Sequence, residues 1–193
     1  VRRGQGDIRT LDIWDQHLAT SGAELLAGRL DLLTALSDPV RSAYQQVSLG
    51  RETAGLTYKS TLGENLSAEV AQAPGGGREL LQARLLEATS RMRATELERG
   101  LCLVGPHRDD VAISLGSIPA KGYASHGECW SLALSLRLAS YELLRHEAGG
   151  DPVLVLDDVF AELDVGRRAR LAEMVTGAEQ VLITAAVGED IPE

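Results

Sequence analysis

Two adjacent carboxylates, Asp157 and Asp158, follow the apolar run Val153-Leu154-Val155-Leu156, and Glu162-Leu163-Asp164 adds further acids just beyond them. A short continuous apolar run reads as a strand buried in a parallel sheet, and ligands gather at the carboxyl ends of such strands. Neighbouring carboxylates repel unless a cation, a proton or an ordered water separates them. Mg²⁺ with an attacking water would resolve the repulsion, the arrangement found at a Walker B strand end. The same letters also suit a core strand followed by an acidic turn. The acids lie at the end of the run and not along it, which favours the chemical reading.

Upstream stands Ser125-His126-Gly127-Glu128-Cys129-Trp130-Ser131, followed by the apolar-rich stretch Leu132 to Leu144. Ser125 and Glu128 have the S-x-x-E spacing of a capping box, so an ordinary helix start explains them. A sharper reading adds Gly127. A serine hydroxyl, a glycine that admits close approach and the free N–H groups of a helix N-terminus together make a phosphate site. In isolation the signal is weak; its order ahead of Asp157 and Asp158 gives it weight.

The elements that must position these groups follow from periodicity. Apolar residues from Leu11 to Leu36 recur at helical spacing, and Ser37-Asp38-Pro39 predicts an interruption before a second helical stretch from Val40 to Val47. Leu56 to Ser60 predicts a short strand, Ala73 to Arg78 a Pro/Gly loop, and Glu79 to Glu98 a helix with Leu81, Leu85, Ala88 and Met92 on one face. Beyond Leu101 the pattern changes. Strands are predicted at Leu101–Val104, Val111–Leu115, Val153–Leu156 and Gln180–Thr184, with helices Glu128–Arg145 and Val165–Val175 between them. Such alternation argues for a parallel α/β core. We therefore expect a mainly helical arm over residues 1–100 and an α/β half over residues 101–193.

With 193 residues, 44% of them hydrophobic, the chain can bury a core in one or two domains. No apolar run approaches membrane-spanning length and no signal peptide is visible, so a cytoplasmic protein without a membrane partner is expected. Cys102 and Cys129 lack metal-ligand spacing and read as small, partly buried hydrophobes. His107 and His126 fall inside motifs, but the four histidines form no cluster. The net charge is −9, and it is uneven: residues 1–100 hold 12 basic and 13 acidic side chains, residues 101–193 hold 7 and 15. The acidic excess thus falls where a cation is expected. A nucleic-acid surface would have to be local, for instance Arg78, Arg84, Arg91, Arg93 and Arg99, which suit a solvated helix face equally well.

The order of signature-like Ser125–Ser131, acidic strand end and Glu162-Leu163-Asp164 resembles the C-terminal half of an ABC-type ATPase head. Three strings narrow the resemblance to the RecF family of the SMC/Rad50-like branch: Leu103-Val104-Gly105-Pro106-His107-Arg108-Asp109-Asp110, Lys121-Gly122-Tyr123-Ala124-Ser125, and Leu156-Asp157-Asp158-Val159-Phe160-Ala161-Glu162-Leu163-Asp164. The Gly-Pro-His-Arg-Asp-Asp string discriminates most. The short helical region before Leu101 suits this family better than one with long coiled coils. No G-x-x-x-x-G-K-[ST] loop occurs. In the family that loop lies far upstream of the equivalent of Val1, so the resemblance implies the C-terminal portion of a longer protein, inactive by itself.

The resemblance implies a slow, DNA-stimulated ATPase that uses ATP and Mg²⁺, in which ATP joins two heads into a homodimer. Asp157 would orient Mg²⁺ through water and Asp158 would polarise the attacking water; Ser125 and Gly127 would contact the γ-phosphate of ATP held by the second protomer, and Asp164 would line the seam. It further implies DNA binding at single-strand gaps and duplex junctions, RecR and RecO as partners, and RecA loading as the outcome. Two departures stand out. Glu128, Cys129 and Trp130 replace glutamines and a basic residue, so Glu128 suits a cap better than a phosphate contact. Thr184-Ala185-Ala186 stands where transporter-type ATPases place a switch histidine, which argues against a transporter and for slow hydrolysis. Another short-armed Rad50-like ATPase and a non-hydrolysing module for dimerisation or RecR docking remain as alternatives.

Overall fold

A computed structural model describes residues 10–48, 52–147, 150–160 and 163–188. The order of elements is α1 (Leu11–Val47), β1 (Ala54–Lys59), α2 (Leu66–Gln72), α3 (Arg78–Arg99), β2 (Asp110–Leu115), β3 (Ile118–Pro119), α4 (His126–Glu147), β4 (Leu154–Asp157), α5 (Val165–Val175) and β5 (Val181–Thr184). They form two compact units: Val1–Thr34 with Leu56–Ala112, and Ala35–Gly55 with Ile113–Glu193.

In the first unit, α1 and α3 pack through small-to-large contacts. Ala19, Ala23, Leu26 and Leu30 of α1 share a core with Leu81, Leu85 and Ala88 of α3, and Met92 packs against it. Gly22 permits this approach: a β-carbon there would stand 3.0 Å from Leu85 Cδ1. Two of the arginines on α3 are tied up in ion pairs, Arg84 with Glu69 and Arg93 with Asp12 and Asp15. The Pro/Gly segment is a 3₁₀ turn, Pro74–Gly77, with Gly75, Gly76 and Gly77 all at positive φ before α3 begins.

The Gly105–Asp110 string takes a structural role here. Asp109 accepts hydrogen bonds from the Tyr58 hydroxyl (3.1 Å), the Ser60 hydroxyl (3.1 Å), and both the backbone N–H (2.7 Å) and hydroxyl (3.0 Å) of Thr61. The Gly105 N–H donates to Thr61 Oγ1 (3.1 Å), and Arg29 Nη1 donates to the Pro106 carbonyl (2.6 Å) and to Tyr58 (3.3 Å). A carboxylate accepting several donors at once is among the stronger polar fixings a domain can build. Burial pushes the Tyr58 hydroxyl above its usual range, keeping it a donor. His107 and Arg108 remain exposed on this braced loop.

Four expectations are corrected. Helix α1 runs without a break through Pro39. An interior proline costs about 3 kcal/mol, and burial of Val40, Ala43, Tyr44 and Val47 just beyond it offsets that cost. Leu101–Val104 forms no strand: the Leu103 N–H donates to Glu96 Oε1 (2.6 Å) and Val104 is buried as a core residue, so the segment's needs are met without a ladder. The strands also form two sheets and not one. β1, β2 and β3 lie in that order, with β2 and β3 antiparallel through Ser114↔Pro119 and Leu115↔Ile118, while β4 and β5 pair in parallel. Cys102 and Cys129 are free and exposed, not partly buried, because Cys102 follows the Gly100 cap and Cys129 lies on the outer side of the first turn of α4.

In the second unit, Leu154 and Leu156 of β4 pack with Leu134 and Leu138 of α4, Leu171 and Val175 of α5, and Phe160 and Leu163 of the connecting segment. The parallel pair is thereby backed by helices on one face.

Removing the Asp109 carboxylate strands several donors, one of them backbone. Asp109→Ala is expected to destabilise the protein by about 2–4 kcal/mol. Asp110→Ala, whose carboxylate meets only the N–H of Val111 among the described residues, should stay within about 0.5 kcal/mol of the parent. Urea denaturation of both variants checks this, and equal losses would refute the role given to Asp109.

Candidate functional site

The acidic strand end is built by register. β4 pairs with β5 as Leu154↔Val181, Val155↔Leu182, Leu156↔Ile183 and Asp157↔Thr184. Alternation along β4 buries Leu154 and Leu156 and exposes Val155 and Asp157, so Asp157 shares the uncovered face of the sheet with Thr184. The Thr184 hydroxyl donates to Asp157 Oδ1 at 2.5 Å. Thr184 Oγ1 in turn accepts the backbone N–H of Asp158 at 3.0 Å, and that N–H also reaches the Thr184 carbonyl at 3.2 Å.

Asp158 is the one non-glycine residue with positive φ among the described residues, at 53°. Aspartate tolerates this left-handed conformation better than most residues, yet it carries a cost of about 1–3 kcal/mol. The ladder ends here, and the strand's alternation ends with it. The two carboxylates therefore need not take the opposite faces that adjacent strand residues would. Thr184 is a partner that the sequence alone does not single out: there it only stands where transporter-type ATPases place a histidine. A hydroxyl-bearing residue closing the strand predicted at 180–184 is the one signal the sequence carries.

Ser125 and Glu128 close a full capping box at the start of α4. The Ser125 N–H and hydroxyl both donate to Glu128 Oε2, at 2.8 and 2.7 Å, and the Glu128 N–H donates back to Ser125 Oγ at 3.3 Å. Asp164 caps α5 in the same manner: its Oδ1 accepts the Arg167 N–H at 2.9 Å. Its Oδ2 lies 3.4 Å from Arg167 Nε. Arg167 Nη1 in turn stands 3.3 Å from the place a β-carbon on Gly127 would occupy. The structure thus brings Gly127, Arg167 and Asp164 together, and separately Asp157, Thr184 and Asp158. Ala161 and Glu162, from the expected acidic turn, lie outside the described residues.

The donor set suits Mg²⁺ and ATP in part. No group of three or more His, Cys, Asp or Glu able to hold a metal occurs among the described residues. Mg²⁺ needs none: it keeps several waters and binds through one or two carboxylates together with substrate phosphates. Asp157 spends one contact on Thr184 and retains further acceptor capacity. The residues present supply the carboxylate share of such a site and not its phosphate cradle.

Glu128 is held below the usual carboxylate range, chiefly by the Ser125 hydroxyl and then by the Ser125 N–H, with burial opposing and Arg167 assisting. An acid whose pKa is depressed on folding adds stability above its unfolded pKa and loses that contribution as pH falls through the lower folded value. Glu128→Gln should therefore be less stable than the parent near pH 7, with the gap closing as the pH falls below the ordinary glutamate range. Thermal denaturation across that range checks it; a pH-independent gap would show that the carboxylate charge is not what the box uses.

No family model matches the chain. It is 57% identical over 199 residues to the DNA replication and repair protein RecF of Kineococcus radiotolerans, covering all of this chain and 51% of that protein. To the RecF of Beutenbergia cavernae it is 52% identical over 214 residues, covering 100% of the chain and 53% of the relative. Among solved structures, that of the recombination mediator protein RecF with ATPrS in the RecFOR pathway superposes with TM-score 0.79 at 26% identity, over 98% of this chain and 48% of that one. The structure of RecF with ATP gives 0.78 at 26% identity, over 97% and 48%. The chain spans about half the length of the relatives it matches. Over that half, in sequence and in fold alike, it belongs to the RecF family.

Proposed function

We propose that these residues form the trans-acting and hydrolytic half of an ATP-gated recombination mediator. It would act in the cytoplasm, at single-strand gaps and duplex junctions in DNA, with RecR and RecO as partners and RecA loading as its outcome. The division is functional: residues 1–100 serve as the arm and residues 101–193 carry the ATPase chemistry. The observation that carries the reading is the register pair Asp157↔Thr184 with Asp158 turned left-handed behind it. That geometry sets two carboxylates at the end of a parallel strand, where ligands of α/β sheets bind.

Within this reading each residue has a task. Asp157, oriented by the Thr184 hydroxyl, holds the cation through water. Asp158 accepts a proton from the attacking water and so aligns it. Mg-ATP, when bound, supplies the electrophilic γ-phosphate and the charge that neutralises its oxygens. Ser125 and the N–H of Gly127 meet the γ-phosphate carried by a second protomer, and Asp164 lines the seam. For Ser125 to donate there, its hydroxyl must leave Glu128 Oε2, so engagement exchanges one hydrogen bond for another. Glu128 stays a cap, since its charge would repel phosphate.

The uncovered sheet face points the same way. Val155 is 59% exposed and Leu182 50%, although parallel strands are normally covered on both faces. The half of the RecF relatives beyond this chain's reach is the cover we assign to it, and the phosphate-cradling loop is assigned there too.

Two tests follow. Calorimetric titration of this chain with Mg-ATP should give no saturable heat, and micromolar affinity would show that a complete nucleotide site lies within these residues. In a chain of full RecF length carrying this sequence, Asp158→Asn should retain ATP binding, accumulate an ATP-dependent dimer and slow turnover by about 10²–10⁴-fold, the usual weight of general-base catalysis. Asp157→Asn should instead weaken Mg²⁺-dependent binding. Equal loss of nucleotide affinity in both variants would overturn the division of roles.

A further inference from the structure

Arg167 lies in the first turn of α5, and its side chain is only 23% exposed. Its Nε is buried and makes no hydrogen bond among the described residues, though it stands at ion-pair distance, 3.4 Å, from Asp164 Oδ2. The other end of the guanidinium reaches the first turn of α4. A β-carbon on Gly127 would stand 3.3 Å from Arg167 Nη1 and, its chain neighbours and the nearby backbone of its own helix aside, would meet no other described atom within 4 Å. That distance is tighter than ordinary van der Waals contact. The room left by glycine at 127 is therefore taken up by Arg167. Glu128 feels the same charge, which assists the lowering of its pKa.

We propose that Arg167 is a positioning residue: its guanidinium ties Asp164, at the head of α5, to the Gly127 turn of α4, so that the groups offered to a second protomer are presented as one rigid set. The consequence for pairing rests on the function proposed above; the tie itself does not. Gly127 then has a reason beyond close approach to a ligand, because any side chain there displaces the guanidinium. Lysine cannot replace Arg167, since the contact uses the planar spacing of Nε and Nη1 and an ammonium offers a single point.

The tie is tested in this chain by a double-mutant cycle read by urea unfolding. In the parent, Gly127→Ala should be neutral or destabilising. In an Arg167→Ala background the new methyl meets open space and gains alanine's helix preference, so Gly127→Ala should raise the folding equilibrium constant there. The two effects should differ by at least about threefold; additivity would overturn the tie. The role in pairing is tested in a chain of full RecF length by sedimentation with a slowly hydrolysed ATP analogue. Arg167→Ala and Arg167→Lys should each weaken ATP-dependent dimerisation about tenfold while leaving ATP affinity unchanged, a coupling of ordinary size between adjoining sites. Ser125→Arg serves as the reference and should abolish dimerisation. If Ser125→Arg fails to do so, the composite-site reading falls and the cycle still judges the tie. If Ser125→Arg acts and Arg167→Ala does not, or if lysine restores full dimerisation, the positioning role falls alone.

Discussion

The parallel pairing of β4 with β5 is the constraint on which the acidic strand end depends. A one-residue slip would move every β4 side chain to the opposite face and put Asp157 among Leu134, Leu138 and Leu171. The register prevents this by burying Leu154 and Leu156 together, and the same alternation that protects the core exposes Asp157 beside Thr184. One hydroxyl then serves two purposes. It donates to a carboxylate oxygen and accepts the backbone N–H of the next residue, holding Asp158 in a conformation that costs free energy elsewhere. The geometry of this acidic strand end and the packing of the second core are therefore one arrangement.

Both helices that border the site begin with a side-chain cap, and the caps are not interchangeable. Ser125 and Glu128 satisfy one another and leave the first turn of α4 self-contained. Asp164 caps α5 and also faces Arg167, whose guanidinium extends toward Gly127. A capping residue is ordinarily a local matter worth about 1 kcal/mol. Here the second cap is drawn into a contact with another helix, which makes a local device part of the tertiary structure. Such links are how a small displacement at one helix end is felt at another.

The Gly105–Asp110 string illustrates a different relation between motif and chemistry. It is the most discriminating string in the sequence, and its letters alone assign it no chemistry. In the structure Asp109 faces inward and collects donors from Tyr58, Ser60 and Thr61, while Arg29 holds the Pro106 carbonyl. A partly buried polar knot tolerates little change, because a lost partner leaves a sheltered donor or acceptor unsatisfied. Its specificity is that of a structure with few alternative solutions.

Much of the local structure was legible without coordinates. Periodicity located α3 and its buried face of Leu81, Leu85 and Ala88, the S-x-x-E spacing located the start of α4, and the apolar run located β4 with acids at its end. These follow from short-range rules of helix phase, capping and strand burial, which neighbouring residues settle among themselves. Pro39 misled, because a proline's local cost is visible in sequence while the burial of Val40, Tyr44 and Val47 that offsets it is not. Leu101–Val104 misled likewise: its apolar letters suited a strand, but Glu96 and the first core claimed the segment. The pairing of Asp157 with Thr184, the left-handed turn at Asp158 and the contact of Arg167 with Gly127 join residues far apart in the chain. Only packing and register bring such residues together, and neither is written in any one segment.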